Sequence, residues 1–188
     1  MEHAAPEGSG AMSAVLGMDA AVIEDVLNGR EGVSIANYNC PGQIVITGEA
    51  AAVAEAGTAL KEAGARRVLP LKVSGPFHSP MMRPAGEELA KVFAGVSMNP
   101  LKVPYVANIN AEVITDCGRI EGLLVEQVSG SVRWQQSVET MIREGVDTFV
   151  EIGPGKTLTG FLRKIDKNVK AYHIGSWEEA VQVCEELK

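Results

Sequence analysis

The hydrophobic and polar positions of residues 8–73 alternate between short apolar runs and helical periods. Apolar runs at residues 11–17, 33–39, 43–47 and 67–73 predict four strands, and the apolar spacing at 19–29 and 50–63 predicts two helices. Pro41-Gly42 suits the central positions of a type II turn, so the second and third strands should form a hairpin. This order of elements predicts a ferredoxin-like (βαββαβ) subdomain over residues 8–73.

The pattern changes after residue 73 to helices separated by short apolar runs. Helices are predicted at residues 82–93, 121–128 and 131–145, after residue 155, and after Ser176, which forms a capping box with Glu179. Ser131 is interpreted as the cap of the third of these helices, and Asp19 as the cap of the first helix in the chain. Strands are predicted at residues 103–107, 148–152 and 171–174. This alternation is typical of an α/β layer with a parallel sheet.

Composition and charge exclude several classes of protein. A net charge of −7 argues against a nucleic-acid partner, and no apolar run approaches the roughly 18 residues of a membrane span. The first residues have neither a basic region nor a hydrophobic stretch, so no signal peptide is expected. Cys40, Cys117 and Cys184 lie too far apart for a zinc site or a disulfide framework, which favours the cytoplasm. No metal or other cofactor is predicted.

Residues 153–157 (GPGKT) resemble half of a phosphate-binding loop. The full motif requires a glycine where this chain has Val150, and Pro154 lacks the backbone N–H that would bind phosphate. We therefore interpret this segment as a tight turn between a strand and a helix.

His78 is the strongest candidate for chemistry. It lies between Pro76 and Pro80 where a strand gives way to a helix, so its backbone should be held rigidly. Such a position suits a general base, but it equally suits a half-buried histidine bound to a backbone carbonyl. No G-x-S-x-G nucleophile motif occurs in the chain, and Ser79 is adjacent to His78, where neighbouring side chains diverge.

Asn37 and Asn39 form a second candidate site. They are two positions apart on a predicted strand and should share one of its faces. Their amides either face a polar cleft or stabilise the turn that follows.

Five segments, taken in order, resemble the bacterial malonyl-CoA:acyl-carrier-protein transacylase family. They are residues 6–12 (PEGSGAM), 37–43 (NYNCPGQ), 76–79 (PFHS), 132–134 (VRW) and 151–160 (EIGPGKTLTG). The resemblance implies a ferredoxin-like small subdomain followed by the C-terminal portion of a large α/β-hydrolase-like acyltransferase subdomain over residues 74–188. It implies transfer of malonyl from coenzyme A to the thiol of acyl carrier protein through a serine ester.

The resemblance also implies residue roles. His78 matches the family's catalytic histidine, and Gln127 matches the glutamine whose main-chain carbonyl orients that histidine. A side-chain change at Gln127 is therefore expected to be mild. Phe77 resembles the residue of malonyl-selective members, and it joins Asn37 and Asn39 as a predicted substrate contact.

The family's serine and its carboxylate-binding arginine have no counterpart in this chain. We expect both on an N-terminal segment outside it, so that this chain alone is inactive. Two alternatives stay open: a non-catalytic module that binds acyl carrier protein or acyl-CoA, and a related transferase of another acyl group. Lys61, Arg66, Arg67 and Lys72 form either a basic patch for an acidic carrier or an ordinary solvated face.

Overall fold

The computed structural model describes residues 5–6 and 8–188, and its first part is a four-stranded antiparallel sheet. Glu7, within the first resemblance segment, and residues 1–4 lie outside the described residues. The strands are β1 (Gly10–Leu16), β2 (Val33–Cys40), β3 (Gln43–Glu49) and β4 (Arg67–Pro70), in the order β2-β3-β1-β4. Helix α1 (Ala20–Leu27) connects β1 to β2, and α2 (Ala50–Glu62) connects β3 to β4. Gly42, with φ of 72°, completes the predicted β2–β3 turn.

The sheet buries apolar side chains on both faces. One face packs against α1 and α2. The largest fully buried side chains between the sheet and the helices are Val15, Ile44 and Ile46 from the strands and Ile23, Val53 and Leu60 from the helices. The other face is smaller and carries Met12, Ala14, Ala36 and Val45, against which Phe77 packs. The second face therefore holds the segment that contains His78.

The rest of the chain consists of short elements. They are α3 (Arg83–Phe93), β5 (Tyr105–Val106), β6 (Val113–Ile114), α4 (Ile120–Ser129), α5 (Trp134–Arg143), β7 (Thr148–Ile152), α6 (Thr157–Ile165), β8 (Lys170–Ile174) and α7 (Trp177–Glu186). Of these, α5 and α6 contact β2. Strands β7 and β8 are parallel, as predicted, and α6 connects them. None of the helices in the described part of the chain combines the length and apolar composition that a bilayer crossing requires.

Three details of the predicted elements are corrected. The strand predicted at 103–107 is only Tyr105–Val106, which pairs with β6. A strand of two residues is too short to show a periodic pattern. The strand predicted at 67–73 ends at Pro70. Asp19 does lie at the N-cap of α1, but its side chain makes no capping hydrogen bond.

The predicted helix caps at the two serines have different outcomes. Ser176 caps α7 by accepting a hydrogen bond of 3.2 Å from the Glu179 N–H, while the Glu179 carboxylate accepts from the Gly175 N–H. Ser131 does not cap α5, whose N-cap is Arg133. Its hydroxyl instead donates to the carbonyl of Ile35 on β2, at 2.6 Å, because the loop before α5 lies against that strand.

Tyr38 makes the stability of the four-stranded sheet sensitive to alkali. Its hydroxyl donates to Glu24 Oε1 at 2.7 Å, and burial together with the hydrogen bond and charge of Glu24 raises the pKa of Tyr38 to about 12. The unfolded chain releases this proton near pH 10, so the contribution is complete below pH 10 and is lost as the pH rises to 12. Between pH 9 and 12, the urea unfolding free energy should fall by up to about 2 kcal/mol more than in Tyr38→Phe. Equal losses in the two chains would contradict this.

Candidate active site

His78 lies in a tightly bonded corner between β4 and α3. Its backbone has φ of 59°, a left-handed conformation that is uncommon for any residue but glycine. The buried hydroxyl of Ser79 donates to the carbonyl of Pro76 at 2.7 Å, and the Phe77 N–H donates to the carbonyl of Gly75 at 3.0 Å. These bonds hold a strained backbone in place, which is a feature that concentrates at functional sites.

The imidazole of His78 is oriented by the main chain of α4. Its Nδ1 lies 3.1 Å from the carbonyl oxygen of Gln127. Because a carbonyl only accepts, Nδ1 carries the hydrogen in this contact, and neutral imidazole then has its free lone pair on Nε2. The Gln127 side-chain nitrogen is also 3.4 Å from Nδ1, but its hydrogens have other acceptors in the carbonyls of Gly130, at 3.0 Å, and Ser131, at 3.4 Å. The carbonyl contact therefore sets the tautomer.

Phe77 and Asn37 lie on the same face of the four-stranded sheet. Asn37 pairs with Val45, and Val45 pairs with Ala14, so the three side chains form one row across the sheet. Phe77 packs on the cluster that contains Val45 and Ala14. The structure thus brings Asn37 and Phe77 to the face where the His78 corner sits.

Asn39 occupies a different setting. Tyr38 pairs with Ile44 and Cys40 pairs with Gln43, which leaves Asn39 at a bulge of β2. Its side chain is half-buried, and no hydrogen bond joins it to His78 within residues 8–188. Its role as a substrate contact stays a prediction.

The described residues place no nucleophile next to His78. In the described residues, no hydroxyl or thiol hydrogen-bonds to the imidazole, and Ser79 is fully buried with its hydroxyl bound to Pro76. Cys40 is buried on β2, and burial raises the pKa of its thiol, which disfavours the thiolate even though Lys164 acts in the opposite direction. The imidazole therefore has no partner hydroxyl or thiol among the described residues.

The turn at 153–157 leads into α6, and the first N–H groups of that helix bind a side chain of this protein. The Glu151 carboxylate accepts hydrogen bonds from the N–H groups of Leu158, at 3.1 Å, and Thr159, at 2.7 Å. Burial acts to raise the pKa of Glu151, but the hydrogen bonds from Thr159 and Leu158 lower it below its ordinary value. Because a side chain of this protein occupies the amides that a phosphate would need, the structure agrees with the interpretation as a turn.

Sequence reasoning missed one feature of the site. The loop before α5 adds to the free edge of β2: Val132 N–H donates to the Ala36 carbonyl at 2.7 Å, and Tyr38 N–H donates to the Val132 carbonyl at 2.9 Å. Ser131 binds Ile35 in the same stretch. The residue identities carry no local signal for this contact, since its partners are about a hundred positions apart in the chain.

Residues 1–183 match the acyl transferase domain family. The chain belongs to this family. A malonyl CoA-acyl carrier protein transacylase of Bacillus subtilis (strain 168) is 43% identical to the chain over an alignment of 192 positions, which covers 100% of this chain and 61% of that protein. The resemblance seen in the five sequence segments is therefore confirmed, and the chain spans less than two thirds of the relative's length.

Solved structures of the acyl transferase family share the fold. An acyl-carrier-protein S-malonyltransferase from Bartonella henselae superimposes with a TM-score of 0.94 at 40% identity, covering 99% of this chain and 60% of that one. A solved complex of a type II polyketide synthase acyl-carrier protein with its malonyl-transacylase contains a chain that matches with a TM-score of 0.91 at 38% identity. The match covers 98% of this chain and 61% of that chain. The mixed α/β architecture with open sheets is thus that of the malonyl transacylases.

Proposed function

We propose that this chain supplies the histidine-bearing part of a malonyl-CoA:acyl-carrier-protein transacylase of fatty-acid biosynthesis. The observation that carries the proposal is the 3.1 Å contact between His78 Nδ1 and the Gln127 carbonyl, which leaves Nε2 free to accept a proton. The relatives described above are named for this reaction, and one of them is seen in complex with an acyl-carrier protein. We place the reaction in the cytoplasm, where free thiols such as those of Cys40, Cys117 and Cys184 persist.

We assign the two predicted subdomains to the same scheme. Residues 8–73 act as the ferredoxin-like small subdomain, supported by the antiparallel order β4-β1-β3-β2 and by the packing of α1 and α2 on one face. Residues 74–188 act as the C-terminal portion of the large subdomain. The substrate lies on the face of the four-stranded sheet that is opposite to α1 and α2, beside the His78 corner.

The chemistry requires a serine from outside these residues. Nε2 of His78 takes the proton of the serine hydroxyl as its oxygen attacks the thioester carbonyl of malonyl-CoA. The tetrahedral intermediate collapses, the C–S bond breaks, and the proton on Nε2 passes to the departing CoA sulfur. The thiol of the carrier's phosphopantetheine then gives its proton to Nε2 and attacks the serine ester, and the serine oxygen leaves with that proton.

Each remaining site residue has a role in this scheme. The Gln127 carbonyl holds the Nδ1–H of His78 and stabilises the imidazolium that forms in each step. Phe77 forms an apolar wall beside the reacting carbonyl. Asn37, and Asn39 further along β2, provide amides that hydrogen-bond the polar arm of the substrate.

The exposed side of β7 supports a partner segment for this chain. Strand β7 pairs only with β8 in the part of the chain described here, so its other edge is open. Ile152 on β7 is 77% exposed, an unusual state for an apolar strand residue. We propose that the serine-bearing segment covers this edge.

The test compares this chain with a chimera that fuses the N-terminal part of the Bacillus subtilis transacylase, up to its first aligned residue, to this chain. Both are incubated with labelled malonyl-CoA. The chain alone should form no stable acyl adduct, whereas the chimera should form one and transfer it to acyl carrier protein. Stable acylation of the isolated chain would reveal a nucleophile within it and refute the scheme.

One observation favours a second function. The absence, within residues 8–188, of a hydroxyl or thiol bonded to His78 is what a non-catalytic module for acyl carrier protein or acyl-CoA would show. A chimera that binds carrier but forms no acyl adduct would favour that alternative.

A further inference from the structure

The carbonyl that orients His78 is available because of where α4 ends. Carbonyls in the last turn of a helix have no intrahelical partner, and α4 ends at Ser129, two residues after Gln127. The Gly130 N–H closes the helix by donating to the Glu126 carbonyl at 2.9 Å. The Gln127 carbonyl is therefore free to accept from the imidazole, but its direction depends on the loop that follows.

That loop is fastened at both of its ends. On the helix side, the Gln127 amide donates to the Gly130 carbonyl at 3.0 Å and lies 3.4 Å from the Ser131 carbonyl. On the sheet side, the Ser131 hydroxyl donates to the Ile35 carbonyl at 2.6 Å, the shortest of the contacts described between this loop and β2. Ser131 thus lies between the helix end and the strand.

The same sheet also fixes the histidine. A Cβ on Gly10 of β1 would lie 2.6 Å from Pro76 Cβ, so the backbone of β1 touches the ring that begins the His78 corner. Phe77 packs on the sheet beside it. The donor of the His78–Gln127 contact is therefore placed by β1, and its acceptor is placed by β2 through the loop.

We propose that Ser131 is a positioning residue for His78, which holds the Gln127 carbonyl opposite Nδ1 by tying the end of α4 to β2. The inference rests on the proposed function, in which Nε2 of His78 is the base. Without the Ser131 hydroxyl, the loop loses its bond to Ile35, the Gln127 carbonyl gains freedom, and the imidazole can take the other tautomer. Its Nε2 would then carry the hydrogen and be unable to accept a proton.

The experiment reads the tautomer directly on this chain. Long-range ¹H–¹⁵N correlation spectra at neutral pH distinguish Nδ1–H from Nε2–H imidazole, and His173, bound through Nε2 to the Gly153 carbonyl at 2.9 Å, serves as an internal reference. We expect His78 to be predominantly Nδ1–H. Ser131→Ala should lower its Nδ1–H to Nε2–H ratio about fivefold, the equilibrium factor of one ordinary hydrogen bond, without changing the His173 signals.

Two further variants separate positioning from general stability. Ser131→Thr keeps a hydroxyl and should therefore have the same Nδ1–H to Nε2–H ratio at His78 as the native chain. Ser137→Ala removes a matched hydroxyl, which donates to the Arg133 carbonyl at 2.8 Å, and should leave the His78 ratio unchanged.

The outcomes are decisive in each case. An unchanged His78 ratio in folded Ser131→Ala overturns the proposal, as does an equal fall in Ser137→Ala. If Ser131→Ala does not fold, Ser131→Cys, a weaker donor, replaces it, and a ratio equal to that of the native chain overturns the proposal. The tautomer does not depend on acyl transfer, so a chimera without transfer activity would sink the proposed function while this result stands.

Discussion

His78→Asn in the chimera should lower the rate of malonyl transfer by about 10²- to 10⁴-fold, the range that general acid–base catalysis contributes. Asparagine is chosen because it tolerates the left-handed backbone that His78 adopts, with φ of 59°, so the corner should keep its shape. Its amide can still donate to the Gln127 carbonyl, but it has no basic nitrogen. The substitution therefore removes proton transfer while preserving the fold.

The measurement is the transfer of labelled malonyl to acyl carrier protein by the chimera under saturating malonyl-CoA. His173→Asn is the matched control, since that histidine lies near the end of β8, binds the Gly153 carbonyl and makes no hydrogen bond to His78 among the described residues. Its transfer rate should remain within a few-fold of the parent. A His78→Asn chimera with a nearly unchanged rate would mean that the imidazole is only a structural residue.

The order of strands and helices along residues 8–73 could be predicted because the signals for these elements are local. Apolar periodicity, the Pro41-Gly42 turn and the glycines that end the helices lie within a few residues of the elements they define. The strand order could not be derived from these signals, since it depends on pairings such as Ala14 with Val45. Apart from the β2–β3 hairpin, which the Pro41-Gly42 turn predicts, the short-range patterns carry no information on which strands become neighbours.

The site was harder to predict for the same reason. The sequence context of His78 fits a general base and a half-buried structural histidine equally well. Only the family resemblance points to Gln127, 49 positions away. Serine before an apolar period is a good local cap signal, so the sequence predicts a helix cap at Ser131. Its real partner, Ile35, lies 96 positions away, and no local rule reaches it.

The structure also changes the expectation for the Gln127 side chain. A role confined to the main-chain carbonyl predicts that side-chain changes are mild. The amide nitrogen, however, lies within 3.0 Å of the Gly130 carbonyl and 3.4 Å of the Ser131 carbonyl. It therefore supports the same loop that Ser131 fastens to β2, so the side chain and the carbonyl of one residue act on the imidazole together.

Gly48→Ala should be the most destabilising single substitution among those considered, at about 3–5 kcal/mol. Gly48 is buried near the end of β3 with φ of 146°, a conformation that side chains rarely adopt. A Cβ there would overlap the carbonyl oxygen of Gly32 and lie 3.0 Å from the Cα of Val33. That carbonyl accepts the Glu49 N–H at 2.8 Å, so the overlap cannot be relieved without separating β2 from β3.

Urea unfolding of this chain, followed by circular dichroism, measures the effect. A loss of 3–5 kcal/mol is a large part of the roughly 5–15 kcal/mol that holds a typical domain folded, so the unfolding midpoint should fall sharply. Gly160→Ala on α6 is the matched control, because a Cβ there meets no atom within 4 Å. Alanine in a helix should stabilise that site by about 0.5–1 kcal/mol. If both alanines shifted the midpoint equally, the close approach of β3 to the Gly32 carbonyl would not be the cause.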